Sequence, residues 1–212
     1  RQRVLEDHGA GRLRTRVVGK DDRPATPAEI ERMQTLASEA MRDGALGVSS
    51  SLQYVPDRFA STDELVALAS IAARHGGVYL THQRSESGAI LTSLDEVFTV
   101  AERAKVPTEI WHLKTAYRAN FGRMGEVLAR IEAARARGLD GTANQYPYTR
   151  ASNGLDACLP LWVREGGVEA MLGRLKDPVQ RDRIKREMAD PNAAGWENQW
   201  YGSGGSDGVM IA

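Results

Sequence analysis

A helix followed by a short strand recurs four times in the first two thirds of the chain, and this repeat constrains the fold more than any other feature of the sequence. The four strand-like runs begin near residues 46, 78, 109 and 141, at nearly even intervals. Each run follows a segment whose apolar residues keep helical spacing. Strands that alternate with helices of this length favour a parallel sheet with right-handed crossovers. The sequence therefore predicts an α/β fold.

Helix start signals support this division of the chain. Thr26, Pro27 and Glu29 combine an N-cap hydroxyl, a proline at the first helical position and a carboxylate that can bond back to the cap. Ser61 and Ser93 begin similar motifs, each with a glutamate three residues later. We expect these two serines to cap the second and third helices of the repeat.

The repeat ends near Tyr148, where the pattern changes. We expect an α/β part over residues 1–150 and a helical insertion with an irregular tail over residues 151–212. The elements predicted beyond the repeat are short helices over 159–165, 168–175 and 179–188 and a glycine-rich irregular stretch over 196–208.

Composition excludes several classes of function. The chain has 28 Lys and Arg against 28 Asp and Glu, so no net positive charge attracts nucleic acid or an anionic membrane. No apolar run approaches the ~20 residues of a membrane span. Cys158 is the only cysteine and cannot form an internal disulfide, which fits a reducing compartment. We expect a cytoplasmic protein that acts on a small molecule.

Two histidines stand at equivalent places in the repeat. His82 ends the second strand run and His112 ends the third. In a parallel α/β fold, polar residues at the carboxyl ends of strands form the functional site. Imidazole is the commonest metal ligand in proteins, so the pair could share one ion. The alternative is that each histidine is a hydrogen-bonded residue at a strand end, without metal.

A cation follows each histidine by two residues, and an aromatic segment follows the fourth strand run. Arg84 and Lys114 could bind a substrate carboxylate, although these segments alone favour the simpler explanation of a loop salt bridge, for example Arg84 with Glu86. The tyrosine hydroxyls near residues 146–148 could meet a substrate or could belong to an aromatic turn.

Four motifs follow one another along the chain. They are residues 44–56, Thr81-His82-Gln83-Arg84, His112-Leu113-Lys114 and Tyr146-Pro147-Tyr148-Thr149. Together with residues 22–26 ahead of them and 196–198 behind, they resemble the motifs of the N-acyl-D-amino-acid deacylases (D-aminoacylases) of the amidohydrolase superfamily. The resemblance runs from about Gly19 to the end of the chain.

The resemblance implies a fold, a cofactor and a set of roles. The family fold is a (β/α)8 barrel with a small β domain, and its zinc site lies at the carboxyl ends of the strands. By resemblance, His82 and His112 are zinc ligands from strands five and six. The residues that match substrate-binding positions of the family are Tyr54, Lys114, Tyr146 and Ser152.

Other parts of the family's site have no match in this sequence. The family uses an HxH pair on strand one, a cysteine on strand two and a general-base aspartate on strand eight, and none of them is present. Four βα units are half of a barrel that takes ~250 residues, and an open half-barrel would expose long apolar edges. We therefore expect the central part of a barrel, from about strand three or four to strand seven, with a helical insertion after strand seven.

These observations predict part of a zinc-dependent hydrolase. Its reaction would cleave the amide bond of an N-acyl-D-amino acid, with the catalytic base supplied from outside this chain. One alternative is a cyclic-amide hydrolase or deaminase of the same superfamily. The other is a metal-free fragment that acts only as a binding or assembly module.

Overall fold

A computed structural model describes residues 9–193 and 196–211. These residues form two compact units. The first extends to Thr115 and continues from Gly122 to Tyr146, and the second comprises Ala116–Phe121 and the chain from Pro147 onward. The division into domains at residue 150 stays a prediction, whereas the compact units change over at Tyr146.

The first unit contains a four-stranded parallel sheet whose strands follow one another in chain order. Gly47 pairs with Val78, Tyr79 with Thr108, and Thr108 with Gly141. Parallel strands in sequential order, each preceded by a helix, confirm the predicted α/β fold. The strands are β1 (Gly47–Ser51), β2 (Val78–His82), β3 (Thr108–Ile110) and β4 (Gly141–Ala143).

Helices alternate with these strands, and two of the three predicted caps are confirmed. The Thr26 hydroxyl accepts from the Glu29 amide while the Glu29 carboxylate accepts from the Thr26 amide, and Ser61 accepts from the Glu64 amide. The helices are α1 (Ala10–Val17), α2 (Pro27–Arg42), α3 (Thr62–Arg74), α4 (Ile90–Ala104) and α5 (Met124–Ala136).

The predicted cap at Ser93 is wrong. Helix α4 begins three residues earlier, at Ile90, so Ser93 lies inside the helix and is buried. Its hydroxyl accepts a hydrogen bond from the Ser85 amide at 2.8 Å. The serine therefore fastens the loop that precedes α4 instead of starting the helix.

The helices cover one face of the sheet with a tightly packed core. Leu68 of α3 and Val100 of α4 are fully buried beside Tyr79 of β2. The backbones approach so closely that a Cβ on Gly47 would lie 1.9 Å from the Val78 carbonyl oxygen. Only glycine fits at the start of β1 because any side chain would collide with the neighbouring strand.

Helix α1, which the sequence patterns did not predict, is anchored by a buried ion pair. The Arg14 guanidinium lies 2.6 Å from the Glu64 carboxylate, and both side chains are almost inaccessible to solvent. Arg14 also donates to the backbone carbonyl of Arg23. A buried guanidinium is tolerated only when paired in this way.

The second unit is helical and has few buried side chains. The three helices predicted beyond residue 158 are present with slightly different bounds, but the stretch predicted to be irregular contains a further short helix. Its elements are α6 (Leu161–Arg164), α7 (Val168–Lys176), α8 (Pro178–Ala189) and α9 (Gln199–Ser203). Its buried hydrophobic residues, among those described, are Ala157, Cys158, Val163 and Ile184. None of the helices described in either unit has the length and apolarity to cross a membrane.

Candidate metal centre

The parallel pairing brings the carboxyl ends of the four strands to one edge of the sheet. His82 is the last residue of β2 and pairs in register with Ser51 at the end of β1. His112 lies two residues beyond β3, and Tyr146 lies three residues beyond β4. The polar residues singled out in the repeat therefore gather at the same edge, where parallel α/β folds place their sites.

The two histidine rings face each other. The Nδ1 atom of His82 lies 3.0 Å from the Nε2 atom of His112, and the ring centroids are 4.6 Å apart. Nitrogens that each bind a zinc ion at ~2.0 to 2.1 Å lie about 3 Å from one another. The separation therefore fits two ligands of one ion.

Burial keeps the His82 imidazole neutral by lowering its pKa. Burial lowers the pKa of His82 to about 4, the nearby Glu86 carboxylate opposes this change, and His112 and Lys114 act in the same direction as burial. The imidazole is consequently neutral near pH 7, which is the form that donates a lone pair to a metal.

The other nitrogen of His82 has different surroundings. His82 Nε2 is buried and has no hydrogen-bond partner among the residues that the structure describes. A metal ion held at Nδ1 would leave Nε2 without a partner as well, so this atom does not distinguish the metal interpretation from a hydrogen-bonded strand-end histidine. The metal interpretation rests on the approach of His82 Nδ1 to His112 Nε2.

Glu86 completes a cluster that sequence reasoning missed. Its Oε1 atom lies 2.9 Å from His112 Nδ1 and 2.6 Å from Lys114 Nζ. His82, Glu86 and His112 form a group whose potential ligand atoms all lie within 4.8 Å of one another. Burial raises the pKa of Glu86, but the hydrogen bonds and charges of His112, His82 and Lys114 outweigh it and leave that pKa below its usual value. The carboxylate is therefore ionised at neutral pH.

The salt bridge considered between Arg84 and Glu86 is wrong. Arg84 instead pairs with Glu96 at 2.8 Å and donates to the carbonyl oxygens of Arg58 and Ala60. Arg84 thus links α4 to the loop after β1. Glu86 instead contacts His112 and Lys114. The only sequence signal for that role was its position four residues after a strand-end histidine.

His112 sits in an unusual backbone conformation. Strand β3 ends at Ile110, and His112 has a φ of 40°, in the left-handed region. Its amide donates to the Asn144 side-chain oxygen at 2.6 Å, and the Leu113 amide donates to the Asn144 carbonyl at 2.8 Å. Asn144, which no sequence argument singled out by itself, therefore holds the turn that aims the His112 ring.

Three of the four predicted substrate-binding residues lie around the histidines. The Tyr54 ring centroid is 5.2 Å from that of His82, and the Tyr146 ring centroid is 6.3 Å from that of His112. Lys114 Nζ lies 5.3 Å from the Tyr146 ring centroid. Ser152 belongs to the second unit, where it is exposed.

Curated relatives share part of this sequence, although no protein-family model matches it. A D-aminoacylase of Alcaligenes xylosoxydans xylosoxydans is 40% identical over 144 residues, which cover 68% of this chain and 30% of that protein. An N-acyl-D-glutamate deacylase of the same organism is 35% identical over 144 residues, covering 67% of this chain and 30% of the relative. The chain thus spans less than a third of the length of these relatives.

Solved structures resemble the fold over a similar stretch. A crystal structure of D-aminoacylase, described as defining a novel subset of amidohydrolases, superposes with a TM-score of 0.63 at 41% identity, covering 65% of this chain and 29% of that one. An N-acyl-D-glutamate deacylase from Bordetella bronchiseptica, solved with zinc and a phosphonate mimic of the tetrahedral intermediate, gives 0.62 at 31% identity with the same coverage. The parallel sheet and its helices are therefore part of a (β/α)8 barrel, as the sequence predicted.

Proposed function

We propose that this chain, which belongs to the N-acyl-D-amino-acid deacylase family of amidohydrolases, is part of a zinc-dependent hydrolase. The reaction is cleavage of the amide bond of an N-acyl-D-amino acid to give a carboxylate and a D-amino acid. The observation that carries the proposal is the 3.0 Å approach of His82 Nδ1 to His112 Nε2 at the strand ends.

The chain supplies two zinc ligands, His82 and His112, and the further ligands come from outside it. When bound, zinc provides a Lewis acid that polarises the acyl carbonyl and lowers the pKa of water. The contribution of this chain is to present two neutral imidazoles from a rigid edge of the sheet. The general base, an aspartate in the family, also lies outside this chain.

Lys114 binds the α-carboxylate of the substrate. An ammonium group has three donors, and the contact with Glu86 at 2.6 Å uses one of them. Lys114 reaches the site although the strand alternation that first suggested its direction does not persist beyond Ile110. Arg84, the next choice for the carboxylate, is engaged with Glu96 and two carbonyl oxygens.

Hydroxyl groups complete the substrate pocket. Tyr54 and Tyr146 flank the two histidine rings, which places both aromatic side chains where the acyl-amino acid would bind. The family resemblance assigns a similar role to Ser152. These assignments support the binding of a small polar acid next to the metal.

Two substitutions in the full-length protein separate metal binding from substrate binding. His112→Ala should lower zinc content and abolish hydrolysis of an N-acetyl-D-amino acid, because a ligand is removed. Lys114→Ala should retain zinc. Its kcat/KM should fall by a factor that corresponds to a loss of about 1.5 to 3 kcal/mol of transition-state stabilisation, the usual contribution of a hydrogen bond to a charged group. Zinc is measured by elemental analysis and activity by release of the amino acid.

His75→Ala is the matched control. His75 ends α3 in the same unit, where its ring contacts the Ser38 hydroxyl at 3.2 Å. This variant should retain both zinc and activity. Full zinc content in His112→Ala would contradict the proposed ligand set, and hydrolysis at an unchanged rate without zinc would contradict the metal-dependent reaction itself.

A further inference from the structure

We propose that Glu86 is a positioning residue that sets the tautomer of His112, and thereby leaves His112 Nε2 free to bind metal. The inference rests on the proposed function only for the identity of the ion. It concerns a side chain to which neither the sequence motifs nor the family resemblance gave a role.

The geometry separates Glu86 from the metal ligands. Glu86 Oε1 contacts the Nδ1 atom of His112, whereas His82 approaches the opposite nitrogen, Nε2. An oxygen engaged with Nδ1 accepts the proton that this nitrogen carries. Histidines that bind metal through one nitrogen typically donate the other N–H to a carboxylate in this way, which fixes the ring and raises its basicity.

Lys114 makes this contact necessary. Lys114 Nζ lies 2.9 Å from the same Nδ1 atom. An ammonium group can only donate and an ionised carboxylate can only accept, so the two neighbours of Nδ1 demand opposite tautomers. If Lys114 donated to Nδ1, the ring proton would move to Nε2, where it would face His82 and exclude a metal ion.

Glu86 resolves the conflict in favour of metal binding. Its Oε1 atom accepts from Lys114 Nζ at 2.6 Å, shorter than the 2.9 Å between Lys114 and the ring, and also accepts from Nδ1. The carboxylate thus draws the ammonium donors to itself and stabilises the Nδ1–H tautomer. A lysine needed for substrate can then stand beside a metal-binding histidine.

Two hydrogen bonds hold the loop that carries Glu86. The Ser85 amide donates to the Ser93 hydroxyl of α4 at 2.8 Å, and the Ser87 amide donates to the Ser85 hydroxyl at 3.2 Å. The Glu86 side chain is only 9% exposed. Ser93, which does not cap α4, therefore fixes the backbone of the loop that carries the Glu86 carboxylate.

Three variants of the full-length protein test the proposal through the zinc Kd, measured by competition with a chelator. Glu86→Leu removes the acceptor and should weaken zinc binding about 10- to 100-fold. Glu86→Gln keeps an acceptor oxygen without the charge, so its Kd should stay within about threefold of the original. In Glu86→Leu combined with Lys114→Met, the competing donor is also absent, and most of the lost affinity should return.

A second measurement reports the tautomer directly. In metal-free protein labelled with ¹⁵N-histidine, long-range ¹H–¹⁵N correlation should show the His112 proton on Nδ1 originally and on Nε2 in Glu86→Leu. Glu126→Gln, which removes an exposed carboxylate paired with Arg123, is the control and should change neither the Kd nor the spectrum.

The outcomes distinguish this proposal from the proposed function. Equal loss of zinc in Glu86→Gln and Glu86→Leu would show that the charge itself binds metal and would overturn a positioning role. No recovery in the double variant, or an unchanged tautomer in Glu86→Leu, would also overturn it. If the original protein bound no zinc at all, the proposed function would fail, while the tautomer spectra would still decide the role of Glu86.

Discussion

The two units of the chain bury their side chains very differently. In the first, each helix has a buried face: α3 places Leu68 and Ile71 in the core and α4 places Leu94 and Val97 there. In the second, α7 has no buried residue, and α8 buries only Ile184. The histidines, Lys114 and Glu86 all belong to the unit with the extensive core. Side chains that must hold a geometry within fractions of an ångström are found where packing fixes the backbone.

The largest contrast is expected for buried charge. Glu64→Gln in the first unit leaves the Arg14 guanidinium buried without its counter-charge and should lower the free energy of unfolding by about 3 to 5 kcal/mol. Asp182→Asn in the second unit breaks an exposed ion pair with Lys185 and should change it by less than about 1 kcal/mol. Urea denaturation followed by circular dichroism measures both. Similar effects of the two variants would remove the distinction drawn between the units.

Core truncation gives the next largest contrast. Leu68→Ala should destabilise the protein by about 3 kcal/mol, because it removes a fully buried side chain and leaves a cavity. Leu172→Ala in α7 should cost about 1 kcal/mol or less, since 39% of this leucine is already exposed. The two variants remove the same atoms, so their difference in urea midpoint reports packing alone. An equal loss at Leu172 would mean that α7 is buried against a part of the protein outside the described residues.

These contrasts also explain which features the sequence could predict. Local signals decide where α2 begins and where β2 lies, because the Thr26 cap and the apolar run before His82 act over a few residues. The interpretation of Ser93 was wrong because its hydroxyl bonds to a loop eight residues away, and a capping motif cannot reveal a competing partner. Helix α1 was missed for a similar reason, as its anchor is Glu64, fifty residues further along the chain.

Part of the site could also be predicted from the sequence, and part could not. The spacing of the repeat placed His82 and His112 at one edge because the carboxyl ends of parallel strands lie at the same edge of a sheet. Glu86 could not be assigned in advance, since its role depends on its contacts with His112 and Lys114, which lie far from it in sequence. The end of β3 at Ile110 was also outside what a periodic pattern shows, as the turn at His112 depends on Asn144.

The third contrast is in pH dependence, and its sign differs between the units. Burial raises the pKa of Asp57 in the first unit to about 6, although a hydrogen bond from the Ser51 amide opposes this. The folded state therefore binds the proton more tightly than the unfolded state, and stability falls as pH rises from about 4 to 6. Relative to Asp57→Asn, the original protein should lose about 2 to 3 kcal/mol between pH 4 and pH 7.

Asp177 in the second unit is the matched comparison. Hydrogen bonds from the Gln180 backbone and side chain, and from the Val179 backbone, lower the pKa of this N-cap carboxylate. Its stabilising effect is present above the unfolded pKa and is lost as pH falls through the folded pKa. Measured by urea denaturation at several pH values, the difference between original and Asp177→Asn should therefore have the opposite slope. A difference for Asp57→Asn that does not vary with pH would show that the buried carboxylate is not protonated in the folded state.

The left-handed backbone at His112 affects which residues evolution can place at this position. A side chain with a Cβ is disfavoured at a φ of 40°, and glycine would relieve a strain of about 1 to 3 kcal/mol. The same change would remove the imidazole and leave the buried Glu86 carboxylate without its contact to His112 Nδ1. The backbone at this position therefore favours glycine, whereas the side-chain contacts favour histidine. Replacing His112 by glycine would relax the turn and remove one of the two proposed metal ligands.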